Sequence, residues 1–366
     1  MDKGSYQITA LEKTYGGFLG PAIEIKLGNV KLDSTKIPIT QLEVDLSADG
    51  SAGSCMFAVN SLYDYATGTW ERAMLDSLEV GAKLEIKGGY VKKKSLFYGY
   101  VDEFSMDYEG GSAPRLVVHG VDGLGYLMHS KDDYYAGKKG TAAAVKEILN
   151  KSVSAGFAKK CTVSSSLKDF QTPILKDEGM DDFTFLRILA ERFGMVLMCV
   201  DGELIFDSLW ESSKSIVELE MSKGLLTFQS RLSMYGQVGE VDIWSLDIHN
   251  KPIVGVAKSV TTGGSGKTAA DYVSHLKKAV LKEQSEFALT TDECKQLAQA
   301  RLNGISMGFV NGSGRCIGIP ELIPGRFIKI KNLTGTKTDE FFLSRVVHRF
   351  SGSGYFCDFE VKGAKA

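Results

Sequence analysis

A chain of 366 residues with 43% hydrophobic and 24% charged residues has room for two or three domains of about 150 residues and is not disordered in composition. Its formal net charge of -2 supplies no global attraction to nucleic acid or to an anionic membrane. The six cysteines (Cys55, Cys161, Cys199, Cys294, Cys316, Cys357) show no CxxC pair and no histidine at metal spacing, so buried free thiols are expected rather than a zinc site or a disulfide framework. The N-terminus lacks an apolar core segment, and the longest purely apolar run, Met195 to Val200, is too short for a spanning helix; synthesis and assembly in the cytoplasm are expected.

From about residue 20 to 125 the chain is strand-like. Period-two alternation marks Ala22-Ile23-Glu24-Ile25-Lys26-Leu27 and Gln41-Leu42-Glu43-Val44-Asp45-Leu46, with one short helix expected from Trp70 to Leu75. Residues 78 to 119 read as a three-stranded meander. Leu78 to Lys87 forms the first strand, Phe97-Tyr98 opens the second, and Arg115 to His119 makes the third.

The texture changes after Gly120-Val121-Asp122-Gly123, whose glycine order suits a turn better than a dinucleotide fingerprint. Thr141 is expected to cap a helix carrying Val145, Ile148 and Leu149 on one face. Asp181 is expected to cap another, carrying Phe183, Leu186, Leu189, Ala190 and Phe193 and ended by Gly194. Strands Met195 to Val200 and Glu203 to Phe206 flank Asp201-Gly202, a strong hairpin signal.

Strands resume at Val238 to Ile248 and at Ile253 to Val260, followed by a Gly-Ser loop and a Lys-rich helical stretch at 268 to 284. Thr290-Thr291-Asp292-Glu293 is a capping box for a helix through Leu302, stopped by Gly304. A second meander then runs from 322 to 361. Gly325 aligns with Gly81, Ile330-Lys331 with Ile86-Lys87, and Phe341-Phe342 stands sixteen positions beyond its glycine just as Phe97-Tyr98 does. A chain that carries one unit twice is often built for symmetry.

The fold class expected is α+β and β-rich: two tube-like antiparallel β-barrels from an internal duplication, with a middle α+β domain. Residues 1–125 would form the first barrel and 126–235 the middle domain. Residues 236–262 and 305–366 would form the second barrel, split by a helical insertion at 263–304.

Chemistry-bearing motifs are sparse. Gly266-Lys267-Thr268 matches the end of a phosphate loop, but position 261 is Thr261 rather than glycine, so a flexible loop is the better reading. Asp132-Asp133 and Asp181-Asp182 are adjacent acids that rarely point into one cleft; capping and solvent exposure account for them. The histidines lie far apart, and neither a nucleophile elbow nor a reactive-cysteine signature occurs. Neither a catalytic group nor a cofactor or metal site is assigned. Lys92-Lys93-Lys94 stands at the tip of the first hairpin and Lys337 at its counterpart. Two readings stand for them: solvated turns whose charge discourages edge pairing, or equivalent basic tips that contact a partner ring.

Phe97-Tyr98-Gly99-Tyr100-Val101, His119-Gly120-Val121-Asp122, Asp181 to Gly194, Val200-Asp201-Gly202-Glu203-Leu204, Ala298 to Leu302 and Gly318 to Gly325 together resemble the phage late control gene D proteins and the N-terminal hub portion of VgrG-type spikes. The resemblance covers nearly the whole chain. It implies a baseplate hub, a homotrimer whose two barrels per chain form a pseudo-hexameric adaptor between a hexameric tail tube and a trimeric spike, with other baseplate proteins as further partners and no nucleic acid or membrane. VgrG-type chains continue into a spike whereas this sequence stops at Ala366, so the spike is expected as a separate polypeptide of a phage virion, tailocin or extracellular injection particle. The alternatives are a baseplate-associated cell-wall-degrading enzyme and a nucleotide-driven assembly factor resting on Gly266-Lys267-Thr268.

Overall fold

The structure is a computed structural model and describes residues 3–34, 39–60, 62–72, 76–110, 114–208, 214–263, 266–333 and 338–366. Strand β1 (Tyr6–Gln7) runs into the helix Ile8–Thr14, and β2 (Ala22–Leu27), β3 (Val30–Asp33), β4 (Ile39–Ser47) and β5 (Ser54–Asn60) follow. A two-strand ribbon, β6 (Tyr63–Asp64) and β7 (Thr69–Trp70), precedes the first meander of β8 (Lys83–Gly89), β9 (Lys93–Asp107) and β10 (Arg115–Asp122). The middle of the chain holds helices Gly123–Leu127, Thr141–Ser154 and Asp182–Phe193 with β11 (Tyr134–Tyr135), β12 (Lys160–Val163), β13 (Leu175–Lys176), β14 (Val196–Val200) and β15 (Glu203–Asp207). Next come β16 (Ser215–Met221), β17 (Gly224–Leu232), β18 (Glu240–Leu246), β19 (Pro252–Ala257), the short helix Ala269–Tyr272, a 3-10 turn Ser274–Lys278, β20 (Val280–Gln284) and the helix Thr291–Ser306. β21 (Val310–Ile317), β22 (Phe327–Lys331), β23 (Glu340–Ser351) and β24 (Gly354–Gly363) complete the chain.

Fourteen strands join one sheet in the order β1-β16-β17-β21-β24-β23-β4-β5-β10-β9-β8-β2-β3, with β22 bridging β16 and β23. That bridge closes β16, β17, β21, β24, β23 and β22 into a six-stranded barrel. The strands from β3 to β4 make the other lobe, joined to the barrel by the antiparallel β4–β23 seam. Alternation explains the packing: Leu42, Val44 and Leu46 of β4 are buried, as are Phe57 and Val59 of β5 and Leu116 and Val118 of β10, and one apolar core runs through both lobes. A second core lies under the three helical segments of the middle unit and reaches Val241, Ile243, Ala257 and the helix Thr291–Ser306.

Local signals for turns and caps hold. Asp181 accepts from Thr184 N at 2.7 Å, Gly194 closes its helix with φ 64°, and Asp201 and Gly202 take φ 49° and 75° in the β14–β15 turn. Thr290 and Glu293 form the expected capping box. Thr141, by contrast, is the first helical residue; Gly140 occupies the cap position, and Thr141 Oγ1 accepts from Phe170 N at 3.2 Å. The Thr291–Ser306 helix runs past Gly304, held by Gln237 Nε2 donating to Ile305 O at 2.7 Å and by Ser306 Oγ donating to Leu302 O at 2.7 Å. Trp70 lies in β7, and residues 73–75 of the helix expected there fall outside the described residues.

Three longer-range expectations are corrected. Residues 236–262 do not begin the second barrel: β18 and β19 form a separate sheet with β20 that packs on the Thr291–Ser306 helix, and β16 and β17, expected in the middle unit, take the barrel positions. Val280 to Gln284 is a strand rather than helix, because its exposure alternates and β18 offers it a parallel ladder. The aromatic pairs are not in equivalent register. Phe97 lies opposite Ile86, whereas Phe341 lies opposite Ile328, two residues nearer its glycine; the period of two keeps both on the inner face.

Gly81 and Gly325 do play the same part. Each sits at positive φ, 85° and 78°, and donates to a strand partner, Gly81 N to Val101 O at 2.8 Å and Gly325 N to Leu343 O at 2.9 Å. The residue after each glycine accepts in return, Ala82 O from Val101 N and Arg326 O from Leu343 N. Immediately after Val101 and Leu343 the ladders to β10 and β24 each skip one residue, Asp102 and Ser344.

Candidate assembly surfaces

The lysine tip of the β8–β9 hairpin turns inward. Lys93 Nζ lies 3.5 Å from Glu24 and 3.4 Å from Asp33, on the neighbouring β2 and β3. Lys94 Nζ lies 2.9 Å from Glu321 Oε1 and 5.2 Å from the centre of the Tyr6 ring. Glu321 is buried and also accepts from Tyr15 OH at 2.6 Å; burial, then this carboxylate, raises the Tyr15 hydroxyl above its ordinary range. The tip therefore neutralises a buried acid that leads into β22; Lys92 is exposed, whereas Lys93 and Lys94 are half-buried. Lys337 lies outside the described residues. Nothing local announces the partners, since Glu24, Asp33 and Glu321 are distant in sequence.

The β4–β23 seam carries a network of charged pairs. On its outer face Arg345 holds Asp45 with Nε–Oδ1 at 2.9 Å and Nη2–Oδ2 at 2.5 Å, and Arg349 pairs with Glu43. The pattern continues onto β24 and β21. Arg349 Nε donates to Asp358 at 2.8 Å, Arg315 holds Asp358 at 2.6 and 2.9 Å, and Arg345 donates to Glu360 at 3.0 Å. Columns of opposite charge on adjacent strands fix the register. Arg315, Arg345, Arg349, Asp358 and Glu360 line a shallow groove of about 520 Å³.

Beneath that face, His348 of β23 is fully buried, with Nδ1 2.8 Å from Tyr355 OH and 3.3 Å from Cys357 Sγ. Cys316 stands directly opposite Cys357 on β21. This group is closed off from solvent, so it serves packing rather than substrate access.

The remaining motifs resolve into structure. Asp182 is fully buried against Lys176 Nζ at 2.5 Å and Lys151 Nζ at 2.8 Å. Asp132 pairs with Lys151 at 3.0 Å, which together with Ser130 draws its carboxyl down to about 2. Asp122 is buried and accepts from Gly53 N at 2.7 Å and Leu124 N at 2.8 Å, closing the turn at Gly123. In the Gly266-Lys267-Thr268 segment, Lys267 N donates to Ala366 O at 2.8 Å and Ala366 N to Lys267 O at 2.9 Å, while Thr268 shares a capping box with Asp271. Its backbone is thus tied to Ala366 by a reciprocal pair of hydrogen bonds instead of forming a phosphate cradle. Among the described residues, no group of three His, Cys, Asp or Glu side chains is placed to hold a metal ion, and no helix is long and apolar enough to cross a membrane.

A continuous sheet joining two β-lobes, with a small α+β unit on one side, is a fold shared with solved tail proteins. The 43 kDa tail protein of prophage MuSo2 from Shewanella oneidensis is 16% identical, with a TM-score of 0.68 over 93% of this chain and 98% of that one. The tail protein from Neisseria meningitidis MC58 is 14% identical, with a TM-score of 0.67 over 94% and 97%. The E. coli c3393 protein, a component of the type VI secretion system with structural similarity to the T4 bacteriophage tail proteins gp27 and gp5, is 11% identical, with a TM-score of 0.52 over 92% and 76%. At these identities the likeness is one of fold. No curated protein matches the chain. The chain belongs to the family of the Alg8 N-terminal domain, whose model matches residues 25–352.

Proposed function

We propose that the protein is a structural hub of a contractile tail or injection system, a homotrimer whose two β-lobes per chain make a pseudo-hexameric adaptor between a hexameric tail tube and a trimeric spike. One observation carries the reading: the β4–β23 seam joins β17-β21-β24-β23 to β4-β5-β10-β9 as one run, so each chain offers two similar walls in head-to-tail order. The end-to-end likeness to tail proteins supports it. The role is that of a scaffold rather than a catalyst, since the acids and the His348–Cys357 pair are spent on buried packing and ion pairs. Assembly takes place in the bacterial cytoplasm, and Lys92 is a candidate contact for the tube. Electron microscopy of purified particles tests this. Density for three copies of this chain between tube and spike is expected; particles in which the chain is absent from that junction would overturn the reading.

A further inference from the structure

The β4–β23 seam has an unfilled twin. β17 corresponds to β4 residue for residue, because each is paired to its inner neighbour with one skipped residue, Thr40 in β4 and Leu226 in β17. β9 corresponds to β23 through the skipped residues Asp102 and Ser344. In β23, the edge from Arg345 to Ser351 is filled by β4. In β9, pairing to β8 ends at Tyr100, and among the described residues no strand covers the same edge from Asp102 to Asp107. The matching edge of β17, from Thr227 to Leu232, is likewise uncovered, since β16 pairs only with Gly224 and Leu225.

The charges at these two edges are reversed relative to the filled seam. Where β23 carries Arg345, β9 carries Glu103; where β4 carries Asp45, β17 carries Arg231. Glu103 and Arg231 are both exposed, and neither forms an ion pair among the described residues. Their strands are not paired with one another within one chain. Seven strand spacings separate β9 from β17, about 34 Å along the sheet at roughly 4.8 Å per strand. On the inner side, Phe104 of β9 is half-buried and Leu232 of β17 is 40% exposed, which is the exposure a missing neighbouring strand would leave.

We infer that β17 of one copy adds antiparallel to β9 of a second copy of this chain, in the register of the β4–β23 seam. Gln229 then lies opposite Asp107 and Leu232 opposite Phe104, and Arg231 reaches diagonally to Glu103 as Arg345 reaches to Asp45. Such a contact is heterologous, so repetition leads to a ring or to an open filament. Closure at three copies rests on the proposed function; the seam does not. Reversed charge also keeps the chain from mispairing its own edges, because β17 meeting β23 would set Arg231 against Arg345, and β4 meeting β9 would set Asp45 against Glu103.

Sedimentation velocity of the full chain as wild type, Glu103→Arg, Arg231→Glu and the double variant tests the pair. Each single change should weaken self-association about tenfold or more, and the double change should restore most of it. Should wild type sediment as a monomer, an oxidised chain carrying Asp107→Cys and Gln229→Cys reports the same contact. A disulfide joining these two positions on different copies is expected, formed faster than in a control chain carrying Lys92→Cys and Gln229→Cys. Singles that assemble like wild type, a double variant without rescue, or linkage no faster than the control would each overturn the seam. The two proposals fail separately. Linked chains that grow open-ended would sink the three-copy hub while sparing the seam; a three-copy assembly indifferent to Glu103→Arg would sink the seam while sparing the hub.

Discussion

Arg345 and Asp45, 300 residues apart in sequence, meet through two parallel hydrogen bonds of 2.9 and 2.5 Å across the strands that join the two lobes. Arg345 is 42% exposed, so water screens the pair and its worth is modest. Arg345→Ala should lower stability by about 1 kcal/mol, and a double-mutant cycle with Asp45→Ala should return a coupling of similar size, read from urea midpoints. A coupling near zero would mean that apolar packing of Val44 and Leu46 alone holds the seam.

Gly255 lies on the inner face of β19, directly under the Thr291–Ser306 helix. A Cβ there would come within 2.0 Å of Lys295 N and 2.2 Å of the Cys294 carbonyl carbon, both backbone atoms that cannot swing aside. Gly255→Ala should therefore cost about 3 kcal/mol or more and push the helix off its sheet. Thermal unfolding checks this against Gly81→Ala, where nothing lies within 4 Å and only the positive φ opposes a side chain, at about 1–2 kcal/mol.

Asp122 gives the fold a pH dependence of defined sign. Burial pushes its carboxyl up to about 7, against the pull of the Gly53 and Leu124 amides. Its proton is held more tightly folded than unfolded, where the carboxyl titrates near 4, so its contribution is fully present below about pH 4 and is lost as pH rises through about 7. Asp122→Asn keeps an acceptor at the cap and removes the titration. Urea midpoints at pH 5 and pH 8 should differ less in the variant than in the wild type; an unchanged difference would assign the slope to other groups.

Asp182 is shared by two lysines, one of them, Lys176, with a side chain wholly out of solvent. Asp182→Ala leaves that buried ammonium with only the more distant Asp132 carboxylate, 3.9 Å away, and should cost about 3 kcal/mol. Lys151→Met leaves the Lys176–Asp182 pair intact and should cost much less. Equal losses in chemical denaturation would show that the two lysines act as one unit.

Sequence reading reached what is local. The alternation of Ala22 to Leu27 placed β2 to the residue, and Asp181, Gly194 and Asp201-Gly202 placed a cap, a stop and a turn, because each acts on backbone within four residues of itself. It missed what depends on distant partners. Val280 to Gln284 is Lys- and Glu-bearing and reads as a polar helix until β18 lies beside it, and β16 and β17 join the barrel only because β21 and β22 reach them. The sixteen-residue spacing from Gly81 to Phe97 and from Gly325 to Phe341 suggested one register, yet the aromatic pairs stand two residues apart in their ladders. Lys93 and Lys94 looked free for a partner ring because Glu24, Asp33 and Glu321 come to them only through the fold. The opposed charges of Glu103 and Arg231 carried no signal until their strands could be matched to β23 and β4.

The most direct test of the hub is the mass of the assembly that the purified chain forms with its spike protein, measured by native mass spectrometry. The prediction is three copies of the 39.8 kDa chain per spike trimer, falling apart in Glu103→Arg and re-forming when Arg231→Glu is added. One or two copies per spike trimer, or no complex at any concentration, would contradict it.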